Sequence, residues 1–513
     1  MKTLLFAFIF CLLWSQADAQ PAKGNDPTKA LTGFGVVKFS NSGAPAAQAD
    51  FLAGLALLHD FEYPRAAIAF QRAEAADPGF AMAYWGEAMT YNHPIWAQQD
   101  ISAGRAALQK LGSTASERAA KARTEREKAY LRSVEILYGS GDKFERDFLY
   151  EKALADLHRD YPNDIDATAF YGLAILGTAH AGRDVATYMR AASVLEEAWT
   201  DHRDHPGLVH YLIHCYDDPD HAPLGLRAAR IYARIAPNAG HAQHMTSHIF
   251  VALGMWPEVV QANIAAISVM NNARKNAGKS AANCGHYPTW LNYGNLQLGN
   301  LDDAKAAVAN CRATLESQSG ESRAPSQDSD DNVAAAYSNM RLRYLVDAGT
   351  WPAEMSDWTL PEHAGTWAKL DYVFARFLNE FSLQHKAQTL ETFNELEAVG
   401  KDVIDVETKK ANPDPSYRVR PEILVLEARA MLLESDKNFV EAEQMLKRAV
   451  SLEEGLPMAF GPPVIEKPTH ELLGEFLLRR ERKEDAAAEF KKALARTPGR
   501  RLAMKGLASA TAN

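Results

Sequence analysis

The chain has 513 residues, with 55 Lys and Arg against 65 Asp and Glu, for a formal net charge of −10. No basic patch marks it as a nucleic-acid binder. Past the amino terminus there is no stretch of about 18 apolar residues, so nothing in the body of the sequence reads as a membrane span.

In chain order, the first feature is a leader. Lys2 precedes an apolar run, and the small-residue triplet Ala17-Asp18-Ala19 follows it. A charged start, a short apolar centre and an A-x-A site make the pattern of a secretory signal. Residues 1–19 are therefore expected to be removed, and the mature protein to be exported to a periplasm or secreted. Cys215, Cys284 and Cys311 then remain in an oxidising compartment. A Cys284–Cys311 bridge is one possibility that spacing alone does not decide.

Two distant segments repeat each other. Gly54, Ala66, Phe70, Ala73 and Pro78 recur as Gly474, Ala486, Phe490, Ala493 and Pro498, with the same intervals of 12, 4, 3 and 5 residues. Each segment reads as two amphipathic helices with a turn between them. The glycine lets the first helix approach the second, and the Ala-Phe-Ala stripe fills one face of the second. Proline stops the unit because it cannot continue a helix. Trp85-Gly86 and Tyr171-Gly172 offer the same small-residue contact between these ends. The pattern resembles the tetratricopeptide repeat, a helical pair of about 34 residues. Strand signals are weak throughout, so the predicted fold class is all-α, a TPR-like α-α superhelix.

The stretch 316–332, ESQSGESRAPSQDSDDN, is polar and carries Gly and Pro. It reads as a linker or loop. It divides the mature chain into an N-terminal array over 20–315 and a C-terminal array over 333–513. A shorter loop is expected over 411–420, ANPDPSYRVR.

Chemistry concentrates in the N-terminal array. Ten of the sixteen histidines lie between His180 and His286. Helices are predicted over 208–216 and 240–253, each the first of a pair, with another over 287–298. At 100° per residue, His210 and His214 sit about 40° apart, and His241, His244 and His248 span about 60°. Each set therefore occupies one helix face. The repeat resemblance implies that first helices line a concave groove, so these five imidazoles are expected to converge there. Asp217, Asp218 and His286 are nearby supplementary ligands. Imidazole is the commonest protein metal ligand, and such a set suits Zn, Cu, Fe or Ni. His59 and His93 are expected farther away along the superhelix. His158, His180, His202, His363, His385 and His470 read as ordinary core or surface residues, and His205 and His221 as caps or turn residues.

Familiar catalytic motifs are missing. His210-Tyr-Leu-Ile-His214 lacks the glutamate of H-E-x-x-H, and neither G-x-S-x-G nor a Walker A loop occurs. The phrases Leu57-Leu-His-Asp-Phe-Glu-Tyr63, Asp77-Pro-Gly-Phe-Ala-Met-Ala-Tyr-Trp-Gly86, His210-Tyr-Leu-Ile-His214 and Glu471-Leu-Leu-Gly-Glu475 are similar to those of a His-rich group of exported bacterial TPR proteins. That resemblance implies the fold, and a protein or peptide partner in the concave groove. Three readings follow: an exported binding scaffold whose His-lined groove takes a transition metal; a metalloenzyme, redox or hydrolytic, with Asp217, Asp218 or Glu87 as acid or base; and a metal-free interaction module.

Overall fold

The structure, a computed structural model, describes residues 32–318, 333–361, 364–409 and 415–512. The leader, nearly all of the polar stretch 316–332, His363 and residues 411–414 lie outside these. The described residues form an all-α superhelix of TPR-like helix pairs.

The first half runs α1 (Pro45–His59), α2 (Tyr63–Ala76), α3 (Ala81–Met89), α4 (Ile101–Leu111), α5 (Ala115–Lys121), α6 (Glu125–Leu137), α7 (Lys143–Asp160), α8 (Ile165–Leu176), α9 (Val185–Trp199), α10 (Pro206–Cys215), α11 (Ala222–Ile235), α12 (Gly240–Ala252) and α13 (Trp256–Asn276). It continues through α14 (His286–Leu298), α15 (Leu301–Gln318), α16 (Val333–Ala348), α17 (Ala353–Ser356), α18 (Thr366–Ser382), α19 (Lys386–Thr408), α20 (Pro415–Ser435), α21 (Phe439–Glu454), α22 (Thr469–Arg479), α23 (Lys483–Arg496) and α24 (Arg501–Thr511). A two-residue antiparallel pairing, β1 (Asn92–His93) with β2 (Gln98–Gln99), follows α3. Residues 415–420 belong to α20, so the loop expected over 411–420 extends too far: Pro415 starts the helix, where a missing N–H costs nothing.

The repeated glycines explain the stacking. A Cβ on Gly54 would lie 2.9 Å from the Phe70 ring, and one on Gly86 only 2.3 Å. Phe70 of α2 is thus clamped between α1 and α3. At the other end Phe490 of α23 sits in the same way between Gly474 of α22 and Gly506 of α24, at 2.9 and 2.3 Å. Gly172 makes the equivalent approach to Leu195. No side chain fits where two helices meet through an aromatic ring, which is why the motif survives at both ends of the array.

Two departures from an open solenoid place the functional region. First, α1 packs against α10, and α10 against α8, as well as their sequence neighbours. His210, His214, His244 and His248 are consequently buried rather than open to a groove. Second, the chain returns on itself. Trp256 Nε1–H donates to Gly499 O at 2.8 Å, Arg501 Nε–H donates to Leu296 O at 3.0 Å, and Gly461 sits against the Trp290 ring. One hydrophobic cluster joins Cys284, Val308 and Cys311 to Tyr337, Met340 and Trp358, across the polar stretch. Cys284 and Cys311 form a disulfide, and Cys215 is a buried free thiol.

Candidate metal centre

The two histidine-bearing helices lie side by side because α10 and α12 are first helices of successive pairs. Pro206 occupies the first turn of α10, and His205 caps that helix by accepting from the Leu208 N–H at 3.4 Å. This start fixes the rotation of α10. It points His210 and His214, one turn apart, at α12 and at the end of α1.

The histidines form two sets of three. In the first, His210, His214 and His241 bring one ring nitrogen each within 4.8 Å of one another. His210 Nδ1–H donates to the His59 carbonyl at 2.7 Å, since a carbonyl can only accept. Its Nε2 is then a bare lone pair, 3.2 Å from His241 Nε2. His214 is only 3% exposed, and neither of its ring nitrogens has a hydrogen-bond partner among the described residues. Leaving a buried polar group unpaired costs about 1–3 kcal/mol, so this imidazole is held for something. Phe61 forms the floor of the set, with ring centroids 4.3 Å from His210, 5.7 Å from His214 and 5.6 Å from His241. Its φ of 56° is in the left-handed region, a conformation that non-glycine residues keep where the surroundings enforce it.

The second set is His244, His248 and His286. His244 Nδ1–H donates to Asn263 Oδ1 at 2.7 Å; that amide's orientation is fixed because its NH₂ donates to Val259 O at 2.9 Å. His248 Nδ1–H donates to Asp217 Oδ2 at 2.6 Å. Both Nε2 atoms are therefore bare, yet they face each other at 3.2 Å, with His286 Nε2 2.8 Å from that of His244. Lone pairs aimed at each other repel unless a proton or a cation lies between them. Outer partners that fix a histidine tautomer in this way are the usual support of metal-ligating imidazoles. Trp290 walls the set, its ring 4.7 Å from His244 and 4.5 Å from His248.

Burial first, then repulsion from neighbouring imidazoles, holds His210, His214, His241 and His244 well below the usual imidazole range. They are neutral at pH 7 and present lone pairs, the form a metal needs. His241 and His286 are half-buried and form the solvent-ward edge of the cluster.

All five expected ligands come together, but as parts of two sets rather than one, and His286 completes the second. Asp217 stands behind His248 instead of joining the ligands. Asp218 is turned away: it accepts from Arg183 Nε–H at 3.0 Å and from His221 Nδ1–H at 2.8 Å. Glu87 is on α3, engaged with Lys110 and Gln71 at 2.7 Å each. Asp218 and Glu87 are thus engaged away from the cluster, and Asp217 reaches it at His248 Nδ1. His59 is not remote, as the linear order of helices suggests; the packing of α1 on α10 puts its carbonyl on His210. Its own ring is satisfied, with Tyr211 OH at 2.9 Å and Asp166 Oδ1 at 2.9 Å. His205 Nε2–H donates to the same Asp166 oxygen at 3.3 Å. Burial lowers His59 to about 4, with the Asp166 bond opposing. This third group has every nitrogen partnered and reads as a polar strut. Other histidines are ordinary: His158 contacts Thr168, His180 Asp147, His385 Glu380 and His470 Glu489.

Phe61, Asn263 and Trp290 were not found from sequence. Asn263 lies on α13 with no spacing relation to the histidines, whereas Trp290 follows His286 by one turn on α14. Phe61 follows His59 closely, which is a second hint.

No protein-family model matches the chain, and no curated protein matches it by sequence. Among solved structures, it is similar to the TPR domain of P58(IPK), at 13% identity over 90% of this chain and 97% of that one, with a TM-score of 0.22. Human IFIT1 bound to m7Gppp-AAAA matches at 11% identity over 83% and 93%, with a TM-score of 0.32. Yeast Tom70 matches at 13% identity over 90% and 94%, also at 0.32. Scores this low decide nothing about the site.

Proposed function

We propose that this chain is an exported helical-repeat scaffold that binds a transition metal in its buried histidine cluster and takes a protein or peptide partner on its remaining concave surface. The observation that carries the metal reading is the convergence of imidazole lone pairs: His214 has no partner for either nitrogen among the described residues, and the Nε2 atoms of His244 and His248 face each other at 3.2 Å. Neutral imidazoles without a coordinating carboxylate favour Zn, Cu, Ni or Fe over Ca or Mg. The fold supports the scaffold part, because helical repeats expose extended concave faces. Export draws support from the leader pattern and from the Cys284–Cys311 disulfide, which belongs in an oxidising compartment. No helix among the described residues is long and apolar enough to cross a membrane.

The test is elemental analysis of untagged protein purified from its own host, beside a His214→Leu/His248→Leu variant of equal helicity. A first-row metal in near-stoichiometric amount, lost in the variant, is expected. Protein that holds no metal even after reconstitution overturns the metal reading and leaves the interaction module.

A further inference from the structure

Resting on the metal reading, we infer that the cluster is a two-ion centre: one ion per triad, bridged by a single small anion such as hydroxide. Three observations lead there. The six imidazoles separate into two compact groups, and no nitrogen of one belongs to the other. Each group by itself offers three imidazole nitrogens, a set that can hold one ion at about 2.0–2.1 Å from each nitrogen. Yet the triads are adjacent: the His214 and His248 rings are 6.1 Å apart, and the His241 and His244 rings 6.4 Å. Two ions so placed lie close enough to share a small ligand, as in dinuclear sites generally.

The charge of the site makes that ligand an anion. Imidazole ligands bring no negative charge to an ion, and the walls are Phe61 and Trp290. Asp217, behind His248, contributes a carboxylate. Two divalent ions would leave a large uncompensated charge in a buried, largely aromatic pocket, which is strongly unfavourable. Three nitrogen donors also leave a coordination position open on each ion. A water shared between the two open positions releases one proton to solvent and remains as hydroxide, the ions having lowered its pKa. Access is along the half-buried edge at His241 and His286, where azide is a suitable exogenous substitute.

The experiment uses the full chain stripped of metal with a chelator. Copper(II) is added by equilibrium dialysis, followed by electron paramagnetic resonance with and without azide. The variants are His241→Ala, which opens only the first triad, and His286→Ala, which opens only the second. Both residues lie at the solvent edge, so folding is retained, as circular dichroism will verify. Two coppers per wild-type chain are expected, with a resonance well below that of two isolated ions, because bridged copper(II) pairs couple. Azide is expected to shift the spectrum. Each variant should hold one copper with its full signal. One copper in the wild type, lost in both variants, would overturn the two-ion centre but keep the metal reading. Two coppers with full, azide-insensitive signal would overturn the bridge. No copper in any form would overturn the metal reading itself.

Discussion

Asp217→Asn gives the most direct test of how the fold prepares these histidines. Asp217 is 1% exposed, and its Oδ2 accepts from His248 Nδ1–H at 2.6 Å. That bond fixes the tautomer that turns Nε2 toward His244. It also places a negative charge behind the ring, which makes Nε2 a better donor. Asparagine retains the shape and can still accept, but the charge is gone. A hydrogen bond to a charged group contributes about 1.5–3 kcal/mol, which corresponds to about 10–100-fold in a binding constant. Removing the outer partner of a ligating histidine typically weakens metal binding by a similar factor, about 10–100-fold. The assay is competition for zinc against a chromophoric chelator, comparing wild type with Asp217→Asn. Asp218→Asn is the control, because the Asp218 carboxylate engages Arg183 and His221 and touches no ligand. Unchanged zinc affinity in a well-folded Asp217→Asn protein, or an equal loss in Asp218→Asn, would refute the reasoning.

Two further predictions concern the scaffold. Gly86→Ala puts a Cβ 2.3 Å from the Phe70 ring, so the protein must overpack or separate α2 from α3. A loss of about 1–3 kcal/mol is expected, read as a lower thermal midpoint by circular dichroism. Gly506→Ala has the same 2.3 Å conflict with Phe490, and a loss of the same order is expected. The second prediction is pH-dependent. Burial, then the hydrogen-bonded Glu87 carboxylate, raises Glu74 from 4.5 to about 8, with Lys110 opposing. The folded state therefore keeps a proton that the unfolded chain gives up above 4.5. Stability should accordingly fall as pH rises through the window from 4.5 to about 8, by at most about 1.4 kcal/mol per pH unit. Glu74→Gln should flatten that slope in urea melts across the window; an identical slope in the variant would show that another group is responsible.

The repeat was legible because it depends on local rules. Gly54, Phe70 and Gly86 are related by helical period and by close approach between sequence neighbours, and both survive in a linear string. The facing of His210 with His214, and of His241, His244 and His248, was legible for the same reason: 3.6 residues per turn places them on one side of a helix. What the string could not carry was the superhelical twist, which sums small rotations between helix pairs over the whole array. That twist seats α1 on α10, bringing the His59 carbonyl and Phe61 beneath the first triad, and it separates one expected cluster into two. It also sets Asn263 behind His244 and brings Gly461 against Trp290 from the far end of the chain. Sequence thus determined which residues share a helix face. Tertiary structure alone decided which faces meet, because that depends on packing between residues as far as 243 positions apart, where no helical period reaches.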